Sequence, residues 1–289
     1  MPGMTFEEYI EDIRSAHARG EILLSPEADL DGSQDKDSHI LHGVGTSTAN
    51  LGCLTGLGRS AMYALCGAKR QSHGERSWLE LGAGIGRAVT EIHDHGITVD
   101  AVGLTPFAPH CKPATWLANE DFPRGRLRDL LGEEEVFKVS DRITGGTREI
   151  RREIFARVDE PIVRRQYIGS FPGFAASEEY DVIHDRCGPF YYMSGTGGKG
   201  PECLEKIQAL LKKDGLFVLE TSPVDEKYLE DDDALAGWKM IVTGFQQPRL
   251  LFRSGAQPWS RLLPAGAPAI TRMSPEQLAQ RLAELARIS

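Results

Sequence analysis

Leu79-Glu80-Leu81-Gly82-Ala83-Gly84-Ile85-Gly86 is the stretch that decides the fold. A short apolar run, Ser77–Leu81, leads into it, and Ala88, Val89 and Ile92 follow at helical spacing until Gly96 ends the period. Strand, glycine loop, helix is the order these residues imply. Glycines let the chain turn sharply and let a ligand lie against bare backbone, while the next helix offers its first N–H groups. The spacing is G-x-G-x-G, whereas a dinucleotide fingerprint has G-x-G-x-x-G, and Arg87 stands where that last glycine would be. Glu80, two residues before the first glycine, would face an ammonium better than a pyrophosphate.

Working outward, apolar runs alternate with helical periods. Val99–Leu104, Tyr167–Ile168, Val182–Ile183 and Leu216–Leu219 read as strands. Leu204, Ile207, Leu210 and Leu211 define a helix, with Lys212 and Lys213 in its last turn and Gly215 beyond. Alternation of this kind implies right-handed βαβ units and a mostly parallel sheet. Met240–Phe245 and Arg249–Arg253, joined by Gln-Gln-Pro, read as an antiparallel hairpin at the sheet edge. Upstream, Thr5 and Glu8 form a capping box for a helix whose face carries Phe6, Ile10 and Ile13. Ser25–Thr48 is a polar flap, Leu57–Cys66 a second helix, and nothing before about residue 73 reads as a strand. The long connection between Leu104 and Tyr167 holds its own helix, capped by Thr147 and built on Ile150, Ile154, Phe155 and Val158. Ser274-Pro275-Glu276-Gln277 is a capping box ahead of Leu278, Leu282 and Leu285. The expected organisation is a helical cap and flap over 1–73, a core over 74–255 with an inserted subdomain at about 107–163, and a tail with a helix over 256–289.

Composition narrows the function classes. The 289 residues are 40% hydrophobic and 26% charged, which excludes global disorder. No apolar stretch reaches the ~18 residues of a membrane helix, and Glu7, Glu8, Glu11 and Asp12 stand where a signal peptide carries positive charge. Five scattered cysteines without a C-x-x-C pair argue against a disulfide framework and a zinc ribbon, and make a reducing cytoplasm the expected compartment. A net charge of -9 disfavours a nucleic-acid partner. No His, Cys, Asp and Glu grouping has metal-ligand spacing, so no metal is expected.

The motif series resembles the class I S-adenosylmethionine (SAM)-dependent methyltransferases. The resemblance implies an α/β, Rossmann-like, open and mostly parallel twisted sheet with helices on both faces. It also implies that Glu80 lies near the methionyl amine of SAM, with Gly82, Ala83, Gly84 and Gly86 under the cofactor. Ala101-Val102-Gly103-Leu104-Thr105-Pro106 resembles the second strand and its ribose-side end. Ile168-Gly169-Ser170-Phe171 resembles the adenine-side loop, and Tyr180-Asp181-Val182-Ile183-His184-Asp185 the fourth strand with its catalytic-face end. Leu211–Val218 resembles the passage from helix to fifth strand. Two positions depart from the family pattern. Thr105 replaces the usual acid that holds the ribose hydroxyls, a variant similar to that of cyclopropane synthases, and Ser170 replaces the acid near the adenine amine.

The implied activity is methyl transfer from SAM to a small-molecule acceptor. Candidate site residues follow from the carboxyl-end rule for open α/β sheets. Asp185 is a cofactor contact or general base, with a capping role as the alternative; His184 is a base or a packed core residue. Glu220 ends the fifth strand. Tyr191 and Tyr192 line an acceptor pocket or are half-buried packing, and Cys187 is a nucleophile in principle that nothing nearby in sequence marks as activated. His110, Cys111 and Trp116 begin the insert where a lid over the site would start, and the flap histidines His39 and His42 face the pocket or are solvated loop residues. The competing readings are an NAD(P)-linked oxidoreductase and a non-catalytic binding module on the same architecture.

Overall fold

The computed structural model describes residues 6–25, 56–68, 77–82, 87–103, 163–169, 171–176, 178–186, 188–190, 193, 200–220, 235–243 and 249–288. Outside them lie Thr5, the flap with His39 and His42, and Ala83, Gly84 and Gly86 of the loop. So do Thr105, nearly all of the insert with His110, Cys111, Trp116 and Thr147, and then Ser170, Cys187, Tyr191 and Tyr192. The chain divides into two compact units, one of 1–49, 83–91 and 99–174 and the other of 50–82, 92–98 and 175–289. This division crosses the cap-and-core borders expected above; the expected borders remain a proposal.

In the first unit, helix α1 (Phe6–Ala18) leads into strand β1 (Ile22–Leu24). β1 corrects the expectation of no strand before residue 73. Three residues are too few to show an alternation, and what makes them a strand is a partner: Ile22 and Leu24 pair in parallel with Gln166 and Ile168 of β4 (Arg165–Ile168). β4 also pairs in parallel with β3 (Thr98–Gly103). Buried Asp100 in β3 takes a two-pronged grip from Arg164, at 2.9 and 2.7 Å, and a further bond from Arg165. A carboxylate is tolerated in a strand interior when paired this way.

The second unit begins with helix α2 (Gly56–Ala68) and strand β2 (Ser77–Leu81), all five residues of which are buried. From β2 the chain leaves through helix α3 (Arg87–Asp94) and the strands of the first unit, and returns as β5 (Tyr180–Arg186) to pair with β2 in parallel. Helix α4 (Gly200–Leu210) then leads to β6 (Leu211–Glu220), parallel to β5. The helix is shorter than its apolar period implies. Leu211 already pairs with Tyr180, and Lys212 bonds Asp181 at 2.7 Å, so the two lysines belong to the strand and not to a last helical turn. β7 (Trp238–Val242) and β8 (Arg249–Arg253) form the expected antiparallel hairpin, with β8 against β6; a short strand, β9 (Ile270–Arg272), adds in parallel outside β7. Helix α5 (Pro275–Ile288) closes the chain and packs on α2. Its capping box is reciprocal: Gln277 N donates to Ser274 Oγ and Ser274 N to the Gln277 side chain.

Parallel pairings predominate, helix α4 connects parallel β5 and β6, and the antiparallel pairings are confined to β8. The chain has an α/β, Rossmann-like fold with a mostly parallel sheet and an added antiparallel hairpin. No helix among the described residues is long and apolar enough to cross a membrane.

Candidate functional site at the carboxyl ends of β2, β5 and β6

Register places the functional side chains. Glu80 lies opposite His184, Leu81 opposite Asp185, and Arg186 opposite Glu220, so the carboxyl ends of three adjacent parallel strands carry acid, imidazole, acid and acid. Side chains alternate along a strand, so Glu80, His184 and Glu220 share one side while Asp185 takes the other. The three on the shared side form a chain of contacts. His184 Nδ1 lies 2.8 and 2.9 Å from the two oxygens of Glu80, and Nε2 lies 3.2 Å from Glu220 Oε1. Trp78 Nε1 donates to the same Glu80 carboxylate at 3.1 Å, and Arg186 reaches the outer oxygen of Glu220 at 3.5 Å.

With acids on both sides, the imidazole must donate from both nitrogens, which it does only when protonated. Burial works against that charge, but the field of Glu80 and the hydrogen bonds to Glu220 and Glu80 override it and push the His184 pKa up to about 10. The donors lie on opposite sides of the ring, and no group among the described residues has the convergence that a metal ion requires.

Asp185 does different work. Its Oδ1 accepts from Gly188 N at 2.7 Å and its Oδ2 from Phe190 N at 2.9 Å, so both oxygens hold the turn that follows β5. Burial raises its pKa to about 7, and the two N–H bonds restrain the rise. Nearby Cys203, on α4, has its thiol pushed up by burial and by the charge of Asp185, so it is no activated nucleophile.

Beside this turn stands the start of the glycine loop. Gly82 has φ +71°, a conformation that side chains disfavour, and a Cβ there would meet Gly188 Cα at 2.9 Å. A Cβ on Gly188 would lie 2.8 Å from Asp185 Oδ1 and 2.9 Å from Leu81 O. The turns after β2 and β5 therefore touch main chain to main chain, and both contact positions require glycine.

Of the sequence candidates, the structure brings together Glu80, His184 and Glu220 on one side, and Gly82 and Asp185 at the paired turns. Phe171 belongs to the first unit, where it is buried in a short 3-10 turn, Phe171–Gly173, against Phe174. His184 and Asp185 are 0% exposed and Glu80 is 2% exposed. Every polar atom of the two strand-end residues once considered as bases is already engaged within the protein, so the described geometry gives a proton acceptor role no open nitrogen or oxygen. Trp78, Gly188 and Phe190 were not singled out. Trp78 had a signal, since i and i+2 on a strand share a side and place its indole beside Glu80. Gly188 had none short of the register.

No protein-family model and no curated protein matches the chain. Among solved structures it is similar to a SAM-dependent methyltransferase from Geobacter sulfurreducens in complex with S-adenosyl-L-homocysteine, at 13% identity over 71% of this chain and 73% of that one, TM-score 0.37. It is also similar to the 1,6-didemethyltoxoflavin-N1-methyltransferase of Burkholderia thailandensis, at 16% identity over 87% and 90%, TM-score 0.36. A third is CalS10, an amino pentose methyltransferase from Micromonospora echinaspora, at 16% identity over 58% of this chain and 53% of that one, TM-score 0.31. The chain thus spans about half the length of that structure. Likeness at this level concerns the strand arrangement alone.

Proposed function

We propose that the chain is a SAM-dependent methyltransferase acting on a small-molecule acceptor. The observation that carries this reading is the end of β2: a buried acid, Glu80, followed after one residue by Gly82 in a left-handed turn, at the aligned carboxyl ends of parallel strands. Ligands of open α/β sheets bind outside those ends.

The residues present fit such a cofactor in two respects. The chain turns sharply at Gly82, whose bare side lies against Gly188, and leads into Ala83-Gly84-Ile85-Gly86, a stretch with little side chain to keep a nucleoside away. The cluster beneath it pairs the Glu80 and Glu220 carboxylates with the His184 imidazolium and the Arg186 guanidinium, a charge-balanced support for the turn. Glu80 is taken up by His184 and Trp78, so on this reading it braces the end of β2 under the cofactor and makes no direct contact with it. SAM when bound supplies an electrophilic methyl carbon, and the hard chemistry is the cofactor's. The protein then has to orient the acceptor and exclude water. A base is needed only when the nucleophile keeps its proton at attack. His184 and Asp185 on this reading are positioning residues, the first holding Glu80 and the second holding the turn against Gly82. A cytoplasmic setting accords with the scattered cysteines, of which Cys66 and Cys203 are buried.

A non-catalytic binding module is the second reading, favoured by the full internal satisfaction of His184 and Asp185. Calorimetry with SAM and S-adenosylhomocysteine tests the first step: binding of either supports the proposal, and no heat at millimolar concentration overturns it. If SAM binds but no acceptor in a broad small-molecule screen yields S-adenosylhomocysteine, the second reading replaces the first.

A further inference from the structure

At the far side of the second unit's sheet, beyond β8 and β7, lies a cleft of about 640 Å³ between β9, the 3-10 turn Trp259–Leu262 and α5. The volume suits a small ligand. Its charge runs against that of the whole molecule. Acids outnumber bases in the chain, 42 to 33, yet the cleft is lined by Arg261, Arg272 and Arg281 against the single acid Glu284. The three guanidinium groups come from three different elements, the 3-10 turn, β9 and α5. Arg281 is fixed in place: its Nη1 donates to Leu262 O at 2.6 Å, which ties α5 to the turn across the floor of the cleft. Glu284 is partly occupied by Gln280, whose side-chain amide donates to it at 3.0 Å.

Two further features bear on what the cleft would hold. Thr271 lines it, and its hydroxyl is shielded from solvent with no hydrogen-bond partner among the described residues. A turn about its χ1 would exchange methyl and hydroxyl, and a ligand oxygen in the cleft would then satisfy a group that is otherwise unpaired. The rest of the lining combines the amides of Gln277 and Gln280 with the apolar Pro264, Met273, Leu285 and Ile288, the last 69% exposed. A cleft that combines several guanidinium groups with apolar side chains has the chemistry to take an amphiphilic anion.

We propose that this cleft binds a small molecule with an anionic head, a carboxylate or a phosphate monoester, on an apolar body. The site is separate from the carboxyl ends of β2 and β5 and does not depend on the methyltransferase reading. Isothermal titration calorimetry on the full chain with octanoate, octyl phosphate and inorganic phosphate tests it. The expected result is binding of one or both amphiphiles at least tenfold tighter than inorganic phosphate, with the tighter amphiphile identifying the head group. Arg261→Ser with Arg272→Ser should weaken that binding at least tenfold. Thr271→Val should weaken it while leaving the melting temperature of the ligand-free protein unchanged or higher, since the variant removes an unpaired hydroxyl. A control, Arg14→Ser on α1, should bind as the parent does. No binding of either amphiphile at millimolar concentration overturns the proposal. So does equal binding by the double-serine variant, or inorganic phosphate binding as tightly as the amphiphiles.

Discussion

His184→Gln removes one positive charge and little volume from the centre of the carboxylate cluster. In the parent, the rise of the His184 pKa from 6.5 to about 10 corresponds to about 5 kcal/mol favouring the protonated folded state. Loss of one partner from a buried ion pair costs ~3–5 kcal/mol in general, because the other charge stays buried without compensation. Glutamine can still donate to one acid but cannot neutralise either. A loss of roughly 3–5 kcal/mol is therefore expected near pH 7, or a fall in melting temperature of about 10 °C for a chain of this size. The pH dependence distinguishes charge from packing. A histidine whose pKa is raised on folding contributes its stability in full below its unfolded value of 6.5, and loses it as pH rises through about 10. The gap between parent and variant should thus narrow steadily from about pH 6.5 to about 10 and level off above that. Urea unfolding at pH 5, 7, 9 and 10.5 measures the gap directly. A gap that stays constant across this range would mean that His184 acts by shape alone, and the electrostatic account would be refuted.

Gly188→Ala should destabilise the chain by about 2–3 kcal/mol, because the new Cβ meets a buried carboxylate and a strand carbonyl that cannot move aside. If the glycine contact also shapes the cofactor end of β2, SAM affinity measured by calorimetry should fall with it. Asp185 is an acid whose pKa rises on folding to about 7, so its stability contribution is greatest below about 4 and is lost as pH rises through 7. Asp185→Asn should flatten the stability profile over that window, and an unchanged slope between pH 4.5 and 8 would exclude the assignment. Gln166 on β4 is fully buried with both amide atoms unpartnered among the described residues, so Gln166→Met should raise stability by about 1–2 kcal/mol in urea unfolding.

Local chemistry made much of this chain legible. Ser77–Leu81 reads as a strand from its apolar run alone and is one, with the same ends. The Ser274–Gln277 capping box is visible as four letters because its hydrogen bonds span only three residues. β1 was illegible for the opposite reason, since Ile22–Leu24 becomes a strand only by pairing with residues more than 140 positions away. The end of α4 failed similarly: Lys212 has a good helical position by propensity, but Asp181, across the strand pair, takes it.

The candidate site divides along the same line. Order along the chain announces an acid, a glycine turn and a histidine at successive strand ends, because each is a local response to strand period and backbone freedom. It says nothing of which strands are neighbours. Pairing β5 between β2 and β6 is what puts His184 between Glu80 and Glu220 and makes it a cation, and what sets Gly188 against Gly82. Sequence alone determined that a glycine turn follows β2. Tertiary structure decided the charge state beneath it, because a proton's affinity depends on what lies within a few ångströms in space, however far apart along the chain.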